Sequence, residues 1–185
     1  EPAMQKRMTR VHWLPQPAIV AGAILLLTGG AGAADPSGQA SAPSTRAGGT
    51  TIVSLEGTDW LVAADPDNAG RGAAWWKATR PVARPVRVPG ILQEALPGYH
   101  GVVWYWRQFT APQNAFSGGR CLLRFPAVDY LAEVWLNDVL VGAHEGGETP
   151  FTLDVTETVC SGKPNRLAVR VLNPKAAPVS GIVLA

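Results

Sequence analysis

The segment from Val102 to Phe109 constrains the fold more than any other part of this 185-residue chain. It is dense in aromatic and β-branched residues, which favour strands. Alternate side chains of a strand point to opposite faces, and here both faces carry bulk. One face would present Val103, Tyr105, Arg107 and Phe109, and the other Val102, Trp104, Trp106 and Gln108. The pattern predicts a strand that is buried on one side and covered by loops on the other.

Similar short apolar runs, broken by turn signals, extend from about Thr50 to Pro174. This spacing favours an all-β fold, an antiparallel β-sandwich, over alternating helices and strands. Asn137-Asp138 separates two of the runs and predicts a tight hairpin, because Asn and Asp tolerate positive φ. The other predicted elements are strands over Cys121–Phe125, Leu131–Leu136, Val139–Gly142, Phe151–Val155 and Leu167–Leu172, and a helical turn within Gly90–Leu96.

The first 33 residues are typical of a secretion signal. Lys6, Arg7 and Arg10 precede an apolar run, Ala18–Leu27, and the small residues of 31–33 suit a signal peptidase. A run of about 10–13 apolar residues is too short for a membrane-spanning helix, which needs about 20. We therefore expect a cleaved signal over 1–33 and a periplasmic or extracellular protein without a membrane anchor. Residues 34–49 predict a flexible linker, 50–174 the domain, and 175–185 the start of a further segment.

Charge and cysteine content exclude several classes of protein. After the signal the chain carries 13 basic and 13 acidic residues, and this neutrality argues against a nucleic-acid partner. Cys121 and Cys160 are the two cysteines. They match no metal-site spacing, and sequence leaves open whether they form a disulfide.

The sequence holds no recognisable catalytic motif. It lacks a Gly-x-Ser-x-Gly elbow, a phosphate-binding glycine loop and a His-Glu-x-x-His site, so we expect no catalytic residue, metal or cofactor. Glycosidases use two carboxylates, and Glu145 with Glu148 or Asp129 with Glu133 are near pairs in sequence. Such pairs are more often solvated than catalytic.

Two features suit contact with a ligand or a partner domain. The segment His144-Glu145-Gly146-Gly147 predicts a glycine-hinged polar loop between two strands, which would either lie at a binding rim or be merely solvated. Trp75 and Trp76 follow a loop and are candidates for surface aromatics. Three other tryptophans lie within strand-like patterns and are expected in the core: Trp60, Trp104 and Trp135.

Several of these motifs resemble the N-terminal sugar-binding domain of family 2 glycoside hydrolases, the β-galactosidase and β-glucuronidase group. They occur in family-like order from about Leu55 to Pro174, and Asp138 stands where Gly is usual. The matching segments are 55–60 (LEGTDW), 75–76 (WW), 88–90 (VPG), 99–107 (YHGVVWYWR), 123–125 (LRF), 127–130 (AVDY), 134–137 (VWLN), 144–147 (HEGG), 149–151 (TPF), 154–156 (DVT), 165–167 (NRL) and 169–171 (VRV).

The resemblance implies a jelly-roll-like, galactose-binding-domain-like sandwich. It also implies an immunoglobulin-like domain and a TIM barrel that follow in full-length members, with two catalytic Glu residues in the barrel. The chain would then be a non-catalytic part of a secreted β-glycosidase that acts on β-linked oligosaccharides. The resemblance implies that Gln93 matches a position near the sugar pocket in some members, and that His144 and Glu145, on a neighbouring loop, are further candidates for substrate binding. Two alternatives are a stand-alone extracellular carbohydrate-binding or adhesion module and a structural interaction domain.

Overall fold

The computed structural model describes residues 50–113 and 119–175, and the backbone of three short strands before them. The helical segments are α1 (Leu92–Ala95) and a 3-10 turn at Trp75–Lys77. The strands are β1 (Ile19–Val20), β2 (Ile24–Thr28), β3 (Ser44–Arg46), β4 (Thr50–Ser54), β5 (Gly57–Ala64), β6 (Arg84–Val88), β7 (Gly90–Ile91), β8 (Gly101–Thr110), β9 (Cys121–Phe125), β10 (Leu131–Leu136), β11 (Val139–Glu145), β12 (Phe151–Asp154) and β13 (Pro164–Asn173).

These strands form two main antiparallel sheets. One has six strands in the order β11-β10-β13-β8-β5-β6, and the other has five in the order β12-β9-β2-β4-β3. Apolar side chains from both sheets meet in one buried cluster that includes Trp60, Tyr105, Leu123, Phe125 and Val169. The prediction of an all-β, jelly-roll-like sandwich is confirmed.

Strand β8 lies inside the six-stranded sheet and is buried on both faces, as its sequence predicts. It pairs with β13 over Gly101–Thr110 and with β5 on its other side. Val103 and Tyr105 belong to the core between the sheets, while Trp104 and Trp106 belong to a second cluster on the outer face. The outer cluster is covered by residues 65–83, which connect β5 to β6 and which we call the tryptophan strap.

The predicted hairpin between β10 and β11 is also confirmed. Asn137 and Asp138 have φ values of 47° and 73°, in the left-handed region that a two-residue hairpin turn requires. The Asn137 amide donates to the carbonyl oxygen of Thr158 and to Oδ1 of Asn165, at 2.9 and 2.7 Å. Its own Oδ1 accepts the backbone N–H of Arg166 at 3.0 Å, so the turn is tied to β13.

Strand β6 was not predicted, because Pro85 among its other four residues, Arg84, Val86, Arg87 and Val88, leaves no clear alternation of polar and apolar side chains. The strand is nevertheless compatible with Pro85, since β6 lies at the edge of its sheet, where a missing N–H breaks no ladder. The predicted helical turn corresponds to α1.

Three strands fall within the segments predicted as signal and linker. Among them, β2 pairs with β4 over Thr50–Ser54 and with β9 over Cys121–Arg124. Within the described residues, no helix is long and apolar enough to cross a membrane. Cys121 and Cys160 are both free thiols, the first buried and the second exposed.

Candidate functional site

The polar loops of the sandwich gather at the end of the six-stranded sheet where β8 and β10 begin and β11 and β13 end. We call this the loop end. The strand register brings its members together, because Leu131 pairs with both Glu145 and Leu172, and Gly101 pairs with Asn173. The loop end therefore carries the predicted glycine-hinged segment, although its first two residues, His144 and Glu145, extend β11 and the loop itself begins at Gly146.

The glycine-hinged loop is held at both of its ends. Its His144 ring lies flat on Phe151, with centroids 4.3 Å apart, and Nε2 is 2.9 Å from Oγ1 of Thr149. The backbone N–H of Gly146 donates to the carbonyl oxygen of Tyr130 at 3.0 Å. Gly146 has a φ of +127°, which an L-residue side chain rarely permits, so glycine is needed here.

Carboxyl groups from two loops approach each other beside this glycine pair. A Cβ placed on Gly147 would lie 2.7 Å from Oδ1 of Asp129, so the Asp129 carboxyl packs against bare backbone. Burial, and then the nearby charge of Glu148, raise the pKa of Asp129. A hydrogen bond with Glu145 is the main cause of the raised pKa of Tyr130.

Among the described residues, the loop end also contains buried polar atoms that have no hydrogen-bond partner. They are Nδ2 of Asn173 and Nδ1 of His100, and in α1 both amide atoms of Gln93 are likewise unpaired. Asn173 itself is only 3% exposed. Buried polar groups are nearly always paired in folded proteins, so unpaired ones often mark places with a role beyond stability.

The structure places the predicted site residues in two groups. His144 and Glu145 lie at the loop end, in the last residues of β11, and Gln93 lies in α1, whose chain leads into β8. Asp129 and Glu133, which are close in sequence, lie in different surroundings. Glu133 is buried on the outer face in an ion pair with Arg170, Oε2 to Nη1 2.8 Å, whereas Asp129 lies at the loop end.

Trp75 and Trp76 lie on the strap over the outer face and are half-buried. The Trp76 ring stacks on Trp135, with centroids 5.4 Å apart, and the Trp75 ring is 6.3 Å from that of Trp104. The carbonyl oxygen of Trp75 accepts the indole N–H of Trp106 at 2.9 Å. Both residues therefore help to cover the outer core as well as presenting part of their rings to solvent.

Asp65 and a buried ion pair fix the strap to the sheet. The Asp65 carboxyl accepts hydrogen bonds from the backbone N–H groups of Ala69 and Gly70 and from the Trp104 indole, all within 2.9 Å. On the far side, Glu133 also pairs with Arg71 of the strap. Sequence reasoning missed these contacts, because nothing in the spacing of Asp65 or Glu133 indicates which distant group each would meet.

The side chains at the loop end can form hydrogen bonds with a polar ligand. Asp129, Glu145 and Glu148 offer hydrogen-bond acceptors, and His100 and Asn173 offer further polar atoms. Within the described residues no group of His, Cys, Asp or Glu has a metal-binding arrangement. Sequence reasoning missed His100 and Asn173, because an unpaired buried atom results from tertiary packing and leaves no sequence signal.

Comparisons with known proteins agree with this architecture. The family described as "Glycosyl hydrolases family 2, sugar binding domain" matches residues 90–183. A beta-glucuronidase of Paenibacillus borealis is 37% identical over 119 residues, which are 62% of this chain and 20% of that protein. A beta-glucuronidase of Rattus norvegicus is 38% identical over 101 residues, 50% of this chain and 16% of that protein.

Solved structures also show similarity to beta-glucuronidases. The structure of Faecalibacterium prausnitzii beta-glucuronidase superimposes with a TM-score of 0.58 at 35% identity, covering 65% of this chain and 20% of that one. The chain thus spans about a fifth, or less, of the length of these relatives. Because the family match covers more than half of its residues, the chain belongs to the sugar-binding-domain family of the family 2 glycosyl hydrolases.

Proposed function

We propose that this chain is the N-terminal, non-catalytic sugar-binding and scaffolding domain of a secreted retaining β-glycosidase. The parent enzyme would hydrolyse terminal β-glucuronides or β-galactosides by double displacement, using two carboxyl groups supplied by a barrel domain. Of the two sugars we favour the glucuronide, because the relatives described above carry the name beta-glucuronidase. The immunoglobulin-like and barrel domains are its expected neighbours.

One observation supports a role for the loop end in the sugar site: the position of Asp129. Its carboxyl is partly withdrawn from water against Gly147 and beside Glu148, and both surroundings raise its pKa. Residues whose pKa is shifted by burial together with a neighbouring charge are concentrated at functional sites. A carboxylate there can accept hydrogen bonds from sugar hydroxyls at the rim of the pocket.

The proposal is tested in two steps. The 185-residue chain alone should not turn over 4-nitrophenyl β-glucuronide or β-galactoside, whereas the parent protein should hydrolyse one of them. In the parent protein, Asp129→Asn should raise KM about tenfold with little change in kcat, the result expected for lost uniform binding. Glu157→Gln removes an exposed acid after β12 and is the matched control.

Turnover by the isolated chain would overturn the non-catalytic assignment. An unchanged KM in Asp129→Asn, or an equal rise of KM in Glu157→Gln, would show that the loop end is not part of the sugar site. Circular dichroism of each variant checks that the fold is retained.

We extend the proposal to export with removal of residues 1–33. The basic start, the short apolar run and the small residues of 31–33 support it. Removal would also delete β2 and free the edges of β4 and β9 that it pairs with. Mass spectrometry of the protein recovered from the periplasm or medium should give an N-terminus at Ala34, and an intact Ile24–Thr28 segment in the mature protein would contradict the proposal.

A further inference from the structure

Charge is distributed very unevenly along this nearly neutral chain. Between Asp67 and Glu94 there are five basic residues and no acidic one. From Phe125 to Gly162 there are seven acidic residues and no Lys or Arg. The five basic residues are Arg71, Lys77, Arg80, Arg84 and Arg87. The net charge of the whole sequence, which argued against a polyanion partner, does not reveal these two segments.

The fold keeps these charges on opposite sides of the six-stranded sheet. Four of the basic residues lie on the second half of the strap and on β6, which is one edge of the sheet. The acidic segment contributes β10 and β11, and β11 is the other edge. The edge formed by β6 and the adjoining strap is therefore basic, and clustered positive charge of this kind attracts an anion.

The basic edge is open to solvent, and most of its charged groups form no ion pair with another described residue. All five side chains are exposed. Arg71 is paired with Glu133, and Arg84 donates to the carbonyl oxygen of Ala95 at 3.3 Å. Across the described ranges, Lys77 and Arg87 make no ion pair or side-chain hydrogen bond.

Aromatic and apolar groups lie among these charges. The Arg80 guanidinium lies 5.1 Å from the centroid of the half-buried Trp75 ring. Val82, next to Arg80 on the strap, is 71% exposed. A surface of this kind combines fixed positive charge with flat apolar faces, on which both pyranose rings and nucleobases can stack.

Several contacts fix the first half of the strap to the sheet in the absence of a ligand. Asp65 accepts three hydrogen bonds at its start, and Trp76 is stacked on Trp135 in its middle. Arg170 Nη2 donates to Oδ1 of Asn68 at 2.7 Å. A preformed surface loses little conformational entropy on binding, so a few exposed charges can give measurable affinity.

From this arrangement we infer that the basic edge, formed by residues 77–87 with the exposed part of Trp75, binds an anionic glycan through its sugar carboxylates. Lys77 and Arg87 contact the carboxylates, while Trp75 with Arg80 receives a pyranose face. The surface lies along β6, at the opposite edge of the sheet from β11, and would hold a polymer, not the sugar to be cleaved. The choice of a carbohydrate over another polyanion rests on the proposed function.

The test uses the 185-residue chain and a decamer of α-1,4-linked galacturonate as the probe, with tryptophan fluorescence or calorimetry as the readout. We expect saturable binding that weakens as salt is raised, because the contacts are exposed charges. Lys77→Gln/Arg87→Gln should weaken binding about fivefold, as expected for two exposed ion pairs. Arg124→Gln/Lys163→Gln removes the same charge from exposed positions elsewhere and should change affinity less than twofold.

Three outcomes would overturn the inference: no binding at low salt, equal losses in both double variants, or equally tight binding of a ten-nucleotide oligo-dT. The last would indicate an unselective polyanion surface. Because Trp75 packs on the core, the affinity of Trp75→Ala for the probe is interpreted only if the variant still unfolds cooperatively. Failure here leaves the proposed function intact, since that function is judged by turnover and KM in the parent protein.

Discussion

The indole of Trp76 lies flat on that of Trp135, with centroids 5.4 Å apart and an interplanar angle of 6°. Trp135 belongs to β10 and is 5% exposed, whereas Trp76 belongs to the strap and is half-buried. The pair therefore joins a loop to the sheet beneath it. Trp135 in turn lies 5.1 Å from Trp104 of β8, measured between ring centroids. Trp76 therefore helps to cover the outer face of β8, whose sequence is bulky on both faces.

Replacing Trp76 should loosen the strap and destabilise the domain. Trp76→Ala removes the stacked ring and exposes Trp135 and Trp104, and we expect a loss of about 2–3 kcal/mol in the free energy of unfolding. Trp76→Phe keeps a stacked ring and should lose less than half as much. Urea denaturation followed by circular dichroism measures both, and equal losses in the two variants would show that stacking is not what Trp76 contributes.

Breaking the buried ion pair should cost more. Glu133 and Arg170 side chains are 8% and 6% exposed, and Glu133 also holds Arg71. Glu133→Gln leaves the Arg170 charge buried without its counter-ion, and we expect a loss of about 3 kcal/mol.

The matched control is Asp138→Asn, which breaks the exposed ion pair between Asp138 and Arg166. That pair is largely solvated, so the expected loss is below about 1 kcal/mol. If the two substitutions lower the urea midpoint equally, burial does not determine the contribution of Glu133.

The elements that were predicted correctly depend on local sequence. A dense run of aromatic and β-branched residues identified Val102–Phe109, and Asn137-Asp138 identified the hairpin, since both signals act within a few residues. The elements that were missed depend on distant partners. β6 forms only because β5 offers an edge that tolerates Pro85.

The same division applies to the candidate site. The glycine pair and His144 gave the loop its signal, because glycine and polar residues between strands indicate a loop wherever they occur. The surroundings of Asp129 gave none. They arise where residues 126–130, 146–148 and 173 converge, at separations in sequence that no short motif spans.

Asp129 should make stability depend on pH in an unusual direction for a carboxyl group. Its folded-state pKa is raised, so the ionised form is less favourable in the folded than in the unfolded protein. The resulting loss of stability is absent below the unfolded value of 3.8 and is complete once the pH exceeds the folded pKa.

Asp129→Asn should therefore raise the urea midpoint at pH 7 and have little effect at pH 3. Glu148→Gln removes a smaller contribution to the same pKa shift and should act in the same direction, more weakly. A lower midpoint at pH 7 for Asp129→Asn would show that the ionised carboxyl stabilises the fold, and would remove the argument that it is retained for function.

The two thiols should differ sharply in reactivity. Burial, with a smaller contribution from Asp154, raises the pKa of Cys121 from 9.0 to about 12, whereas Cys160 is exposed. A shift of that size reduces the thiolate fraction of Cys121 on the order of a thousandfold at pH 8. Ellman's reagent should therefore detect one fast thiol in the folded chain and two in 6 M guanidinium.

The same pKa also predicts alkaline destabilisation. Between pH 9 and 12 the unfolded chain ionises at Cys121 while the folded chain does not, so the free energy of unfolding should fall over this range. Cys160→Ser should abolish the fast reaction and leave the alkaline loss unchanged, whereas Cys121→Ala should retain the fast reaction and reduce the loss. Two fast thiols in the folded chain would contradict the burial of Cys121, and none would indicate that Cys160 is blocked.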